Sequence, residues 1–205
     1  VTGSNVTFND NATSYAVTVD GNVSPGSITF SNTKAYTLTG DSIVGNGTIT
    51  KSGTGTVTIS NVNHTGNTLI SDGTLYVSSL ANTIGNDYGS LGDVNKIITL
   101  KNNGTLGVSS STTSGQRLIV GEGKINTPSG VNFTQSATIA GVSSTGSVLT
   151  KIGAGTLTLP ATNTYGKLVI QAGTVNTLEG TGVVIGLPTT VEFTGGSLVD
   201  ANNEY

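Results

Sequence analysis

The chain has 205 residues, of which 30 are Gly and 4 are Pro, and it has no Cys, Met or Trp. Charged residues make up only 9% and the formal net charge is −3, so the sequence has no basic stripe that would bind nucleic acid or an anionic membrane. Without cysteines there is neither a disulfide framework nor a thiolate metal site, and no stretch approaches the roughly 20 apolar residues of a membrane-spanning helix.

Short runs that alternate apolar and polar residues follow one another along the chain, and Gly, Asn, Ser or Asp separate them. Because side chains alternate between the two faces of a strand, such runs predict strands with one buried face and argue against disorder. In chain order, the predicted strands are residues 5–8, 15–19, 27–30, 36–39, 47–50, 56–60, 68–70, 74–77, 97–100, 105–108, 117–120, 131–133, 138–140, 147–150, 156–159, 168–170, 174–176, 183–185, 190–193 and 197–199. No helix is predicted.

Two all-β architectures fit many short strands. A β-sandwich uses hairpins, for which Asn-Gly and Asp-Gly pairs such as Asn46-Gly47 and Asp72-Gly73 are signals. A β-solenoid needs a repeated phrase whose equivalent positions stack over a narrow interior. Residues 51–77 recur without a gap at an offset of 100 residues, where Lys51 aligns with Lys151. This repeat favours the solenoid, and the sandwich remains the alternative.

The same two phrases resemble the autotransporter-associated β-strand repeat, whose pattern reads roughly L-x-K-x-G-x-G-T-L-x-L-x-x-x-N-x-Y-x-G-x-T-x-I-x-x-G-T-L. The first copy departs from it at Thr65, where the family usually has Tyr. The second copy matches it at Leu149, Lys151, Gly153, Gly155, Thr156, Leu157, Leu159, Asn163, Tyr165, Gly166, Ile170, Gly173 and Thr174. The resemblance implies a right-handed parallel β-helix in a large exported protein at a bacterial surface. We therefore expect residues 1–205 to be a single solenoid segment of a larger protein, with repeat copies at about 43–77 and 147–176.

Residues that carry chemistry are few. The one histidine, His64, has no carboxylate or second ligand near it in sequence, so we interpret it as a solvated turn residue. Most acidic residues lie in turn contexts, where Asp bonds the local backbone. Tyrosines offer flat amphipathic faces for sugars or proteins, and the candidates are Tyr15, Tyr36, Tyr76, Tyr88 and Tyr165.

The longest irregular stretch, residues 78–95, brings together Asp87, Tyr88 and Asp93. Loops on rigid scaffolds often carry binding residues, so these three are the candidate ligand contacts, although a structural connector explains the stretch as well. No catalytic, metal-binding or cofactor-binding residues are predicted, and no cofactor.

These observations predict a non-enzymatic module that is secreted or held at the bacterial outer membrane. It would act as a rigid stalk or adhesin segment that presents a hydroxyl-rich face. The expected partners are a surface glycan, a protein receptor or a second copy of the chain, without nucleic acid and without membrane insertion by this segment. The alternative is a β-helix that binds or processes carbohydrate, with paired carboxylates about a sugar bond.

Overall fold

Short strands make up the whole fold of the computed structural model, which describes residues 2–60, 64–81, 89–160, 162–177 and 190–199. The strands are β1 (Asn5–Asn9), β2 (Ala16–Val19), β3 (Ser27–Ser31), β4 (Tyr36–Gly40), β5 (Thr48–Ser52), β6 (Thr56–Ile59), β7 (Thr68–Ile70), β8 (Thr74–Val77), β9 (Ile97–Leu100), β10 (Gly104–Val108), β11 (Thr112–Ser114), β12 (Arg117–Val120), β13 (Glu122–Asn126), β14 (Asn132–Gln135), β15 (Ile139–Gly141), β16 (Val148–Ile152), β17 (Thr156–Leu159), β18 (Lys167–Ile170), β19 (Thr174–Thr177), β20 (Thr190–Phe193) and β21 (Ser197–Val199). The described residues contain no helix that is long and apolar enough to span a membrane.

Three parallel sheets contain all of these strands. Sheet 1 has the order β1-β3-β5-β7-β9-β12-β15, sheet 2 the order β2-β4-β6-β8-β10-β13-β16-β18-β20, and sheet 3 the order β11-β14-β17-β19-β21. Each strand pairs with the equivalent strand of the next coil. The chain is therefore a β-solenoid of about eight turns, which fits the predicted right-handed parallel β-helix. A β-sandwich is excluded for the described residues because it would need antiparallel pairs.

Stacked inward-facing side chains form the core. In β6 and β17, for example, the buried residues are Val57 and Ile59 and their counterparts Leu157 and Leu159, while the threonines between them are partly exposed. Burying each such side chain contributes on the order of 1.5–3 kcal/mol. Because one coil has too few of them to be stable alone, the core depends on the stack.

The two copies of the repeat lie on different sides of the solenoid. In the first copy β5 and β7 belong to sheet 1 and β6 and β8 to sheet 2. In the second copy the equivalent strands β16 and β18 belong to sheet 2, and β17 and β19 to sheet 3. Each copy therefore has two strands per coil and one side without a strand. The strandless side is the one that sheet 3 occupies in other coils for the first copy, and the one that sheet 1 occupies for the second copy.

The predicted strands agree with the observed ones apart from three places. β11 and β13 were not predicted: the sequence TTS of β11 has no apolar residue, and β13 carries Glu122 and Lys124 on its outer face. The predicted strand at residues 183–185 lies outside the described residues.

Candidate functional site

A lysine lies at the same corner of both repeat copies. In β5 the inward-facing positions are Ile49 and Lys51, so strand alternation directs the lysine side chain into the interior. Lys51 is fully buried, and its Nζ donates to the carbonyl oxygens of Gly53 at 2.6 Å, Ser52 at 3.3 Å and Asp72 at 3.4 Å. The third carbonyl belongs to the next coil, so the ammonium joins two stacked corners.

The second copy reproduces this arrangement. Lys151 is also fully buried, and its Nζ donates to the carbonyl oxygens of Gly153 at 2.6 Å, Ile152 at 2.9 Å and Ala172 at 3.1 Å. The corner also requires Gly173, which has a φ of +72° and whose Cα faces the Gly155 carbonyl so closely that a Cβ would lie 2.3 Å from that oxygen. Carbonyls that would otherwise be orphaned inside the turn thus have a common donor.

Burial controls the protonation of both lysines. It lowers the pKa of Lys151 from its ordinary value to about 8. Burial also lowers the pKa of Lys51, although the carboxylate of Asp72 opposes the change. A depressed amine pKa often marks a catalytic lysine. Here neither side chain has surface exposed to solvent, so no substrate reaches the amine and the arrangement serves the corner itself.

Lys51 and Lys151 are aligned in sequence as equivalent positions of the repeat, but their burial is not predicted there. The signal was present in the alternation of Ile49, Thr50 and Lys51, because Lys51 has the same phase as the buried isoleucine. It was also present in the exact recurrence of Lys at position 151.

His64 is not the solvated turn residue that the sequence predicted. It is 1% exposed, and its Nε2 lies 2.7 Å from the Gly47 carbonyl oxygen, to which it donates. The backbone at His64 forms a parallel bridge with Ile43, which places it on the strandless side of the first copy. Burial lowers the pKa of His64 to about 4, against the effect of the bond to Gly47, so the ring is neutral at pH 7.

The tyrosines that the structure describes do not form an exposed aromatic surface. Tyr36 and Tyr165 are fully buried, and the Tyr36 hydroxyl donates to the Asn9 carbonyl at 2.6 Å. Tyr76 is half-buried, and its hydroxyl accepts a bond from the Asn126 side-chain amide at 2.6 Å. The candidates Tyr36 and Tyr165 are therefore core residues and are unavailable for a ligand.

Asp93 is the described member of the three candidate ligand contacts, because Asp87 and Tyr88 lie outside the described residues. Its carboxylate accepts a bond from the Asn95 backbone amide at 2.8 Å, which is a local turn contact. The candidate contact set Asp87, Tyr88 and Asp93 thus stays a prediction.

The described acidic residues mostly bond the backbone of nearby corners. Asp10 accepts from the Thr33 hydroxyl at 2.7 Å and from the amides of Thr33 and Lys34, and the Thr33 hydroxyl is the main reason that its pKa is lowered. Asp41 accepts from the amide of Gly21 at 2.8 Å. Among the described residues there is no group of three or more His, Asp or Glu that could hold a metal ion.

Comparison with known proteins identifies the repeat. The family model of the passenger-associated-transport-repeat matches residues 49–77 and residues 149–176, which are the two phrases that the sequence analysis aligned. Searches of curated proteins and of solved structures gave no match. The repeat and the β-solenoid together fit a segment of an autotransporter passenger region. The chain thus carries two stretches that match the passenger-associated-transport-repeat, which confirms the predicted resemblance of these stretches to an autotransporter passenger repeat.

Proposed function

We propose that the chain is a non-enzymatic segment of a bacterial surface protein, secreted or held at the outer membrane, that acts as a rigid stalk with an adhesive face. The observation that carries this proposal is the stack of parallel coils, in which both passenger repeats contribute buried side chains to one continuous core. A stack of this kind is rigid along its axis because each coil is hydrogen-bonded to the next over several strands.

Rows of hydroxyls on the outer faces support the adhesive part of the proposal. On sheet 1 the strand register aligns Thr7, Thr29 and Thr50 in one row. On sheet 2 it aligns Thr56 with Thr74. Threonine hydroxyls both donate and accept hydrogen bonds, so such rows suit hydroxyl-rich glycans, polar protein surfaces or a second copy of the chain. With few charges on the surface, little repulsion opposes close approach.

The test is display of the chain as a passenger on a bacterium that lacks other adhesins. We expect cells carrying the segment to adhere to host cells or to aggregate with one another, and to cleave no polysaccharide in turnover assays. The matched control is the Leu157→Asp variant, in which a buried charge disrupts the stack, and which should lose adhesion. Turnover of a polysaccharide that a single acid-to-amide substitution abolishes would establish the enzymatic alternative instead.

A further inference from the structure

The outer face of sheet 1 changes character along the stack. The row of Thr7, Thr29 and Thr50 continues in register through Leu69, Thr99 and Ile119. Beside it, in the neighbouring row, Ile97 also faces outward and is partly exposed. Aliphatic side chains thus alternate with hydroxyls on this part of the solvent-facing surface. They line a shallow depression of about 330 Å³, whose other lining residues include Thr48 and Lys101.

One cation lines this depression and a second lies next to it in the sheet. Lys101 is a lining residue and directly follows the end of β9. Arg117 is the register partner of the lining residue Ile97, where β9 and β12 begin. Lys101 is four residues beyond Ile97, and at about 3.3 Å per residue the two cationic ends are roughly 13 Å apart along the strands. We call Leu69, Ile97, Thr99, Lys101, Arg117 and Ile119 the sheet 1 patch.

The cations of the patch are exposed and form no ion pair with a carboxylate of the described residues. Lys101 and Arg117 are both exposed, and the one ion pair among the described residues joins Lys167 to Glu192 on β18 and β20. The chain as a whole has a formal net charge of −3. The two cations beside aliphatic side chains therefore make this surface locally positive on a chain that is negative overall. Such a surface complements a ligand with two anionic groups separated by an apolar one.

An extended peptide matches this spacing. Residues one, three and five of an extended segment point to the same side, and its first and fifth residues are roughly 13 Å apart. Acidic residues at these two positions would reach Arg117 and Lys101, while an aliphatic residue at the third would contact Ile119. The apolar side chains that line the depression are aliphatic, namely Leu69, Ile97 and Ile119. Sugar rings are better matched by flat aromatic faces.

We propose that the sheet 1 patch binds an extended acidic segment of a partner protein in which an aliphatic residue stands between two acidic ones. The inference rests on the proposed adhesive function and specifies the class of its partner. The peptide contacts only side chains on the outer face of a sheet, so each chain binds it weakly. Many chains displayed on one cell would bind together through multivalency.

The experiment is a methyl NMR titration of the folded chain with the peptide acetyl-Glu-Ser-Leu-Ser-Glu-amide. We expect shift changes at the methyl groups of Leu69, Ile97 and Ile119. Matched peptides with Gln in place of Glu, or Ser in place of Leu, should bind more weakly. Lys101→Gln and Arg117→Gln should each weaken binding by about threefold and their combination by about tenfold. Lys34→Gln, which removes an exposed cation elsewhere, should leave binding unchanged, and thermal melts check that all variants fold.

Three results would overturn the inference: shift changes elsewhere on the chain, equal binding of the Gln peptide, or no effect of the double substitution. Binding of polygalacturonate to the same methyl groups, without binding of the peptide, would assign the patch to an acidic glycan. If the displayed chain adheres while the peptide does not bind, the peptide inference fails and the surface function stands. If the displayed chain shows neither adhesion nor aggregation, the surface function itself fails.

Discussion

Replacement of the corner lysine, Lys151→Met, tests how the repeat is held together. Methionine has a similar length and no charge, so it fills the space but leaves the carbonyls of Gly153 and Ala172 without their buried donor. The Ile152 carbonyl still accepts from the backbone amide of Thr127. An unsatisfied buried group costs about 1–3 kcal/mol, so the two together cost about 2–6 kcal/mol. Against this, the variant avoids the cost of burying an ammonium, which the lowered pKa of Lys151 indicates to be about 3 kcal/mol. We expect a net loss of about 1–3 kcal/mol in the free energy of unfolding.

Equilibrium urea unfolding followed by circular dichroism measures this loss. The matched control is Lys167→Met in the adjacent strand β18, which removes an exposed cation paired with Glu192 and should cost at most about 1 kcal/mol. If the two variants were equally stable, the bonds to the corner carbonyls would contribute nothing and the account of the corner would be wrong.

The pH dependence of stability gives a second readout for Lys151. Its pKa is about 8 in the folded chain and about 10.5 when unfolded, so between these values the unfolded chain binds more protons. The free energy of unfolding should therefore rise as the pH increases from about 8 to about 10.5. We expect the Lys151→Met variant to lose this component of the rise.

Three other variants test the interior. Because the pKa of His64 is about 4 when folded and about 6.5 when unfolded, the chain should lose up to about 3 kcal/mol as the pH falls from 6.5 to 4, and a His64→Gln variant should show a flatter acid limb in urea unfolding. Gly173→Ala should be less stable in thermal melts than Gly130→Ala by about 1–3 kcal/mol. Both glycines have positive φ, but only at Gly173 would a Cβ lie against backbone carbonyls. Equal melting temperatures would refute the close packing at this corner. Leu157→Asp should unfold the module through an unpaired buried charge, whereas Thr158→Asp on the outer face should melt near the parent temperature, and similar melts would contradict the stacked core.

Alternation predicts the strands and the gapless repeat favours a solenoid over a sandwich, whereas the right-handed parallel β-helix is implied by the family resemblance. The phase of Thr56, Val57, Thr58 and Ile59 identifies the buried face within one strand, and the repeat indicates that coils stack. The strand β13 was missed because Glu122 and Lys124 occupy its outer face, which is where a solenoid tolerates charge. The buried face of a strand follows from alternation over a few residues, so neighbouring residues in the sequence are enough to predict it.

The burial of His64 could not be predicted in the same way. Its surroundings in sequence, VNHTG, are those of a polar turn, and the aligned residue of the second copy is Thr164. What buries it is the contact with Ile43 and Gly47 of the preceding coil, which depends on how that coil crosses the strandless side. The prediction that solvent surrounds His64 is therefore wrong, because the contacts that bury the ring come from a different coil.

The placement of the repeats also lies beyond the sequence pattern. An offset of 100 residues says that the two copies are equivalent, but the coils between them differ in length: the step from Thr68 to Ile98 is longer than the step from Leu118 to Ile139. The side on which the second copy lies depends on the total length of the coils between the two copies. The sequence of the repeat itself therefore does not determine it.

The displacement of the second copy by one side bears on how a surface protein meets its surroundings. A residue at a given position of the repeat on β6 faces outward from sheet 2, whereas its equivalent on β17 faces outward from sheet 3. Copies of one recognition surface would then point in different directions about the long axis of the stalk. In the proposed surface role, equivalent positions of the two copies would thus offer contacts in two directions about the stalk rather than in one.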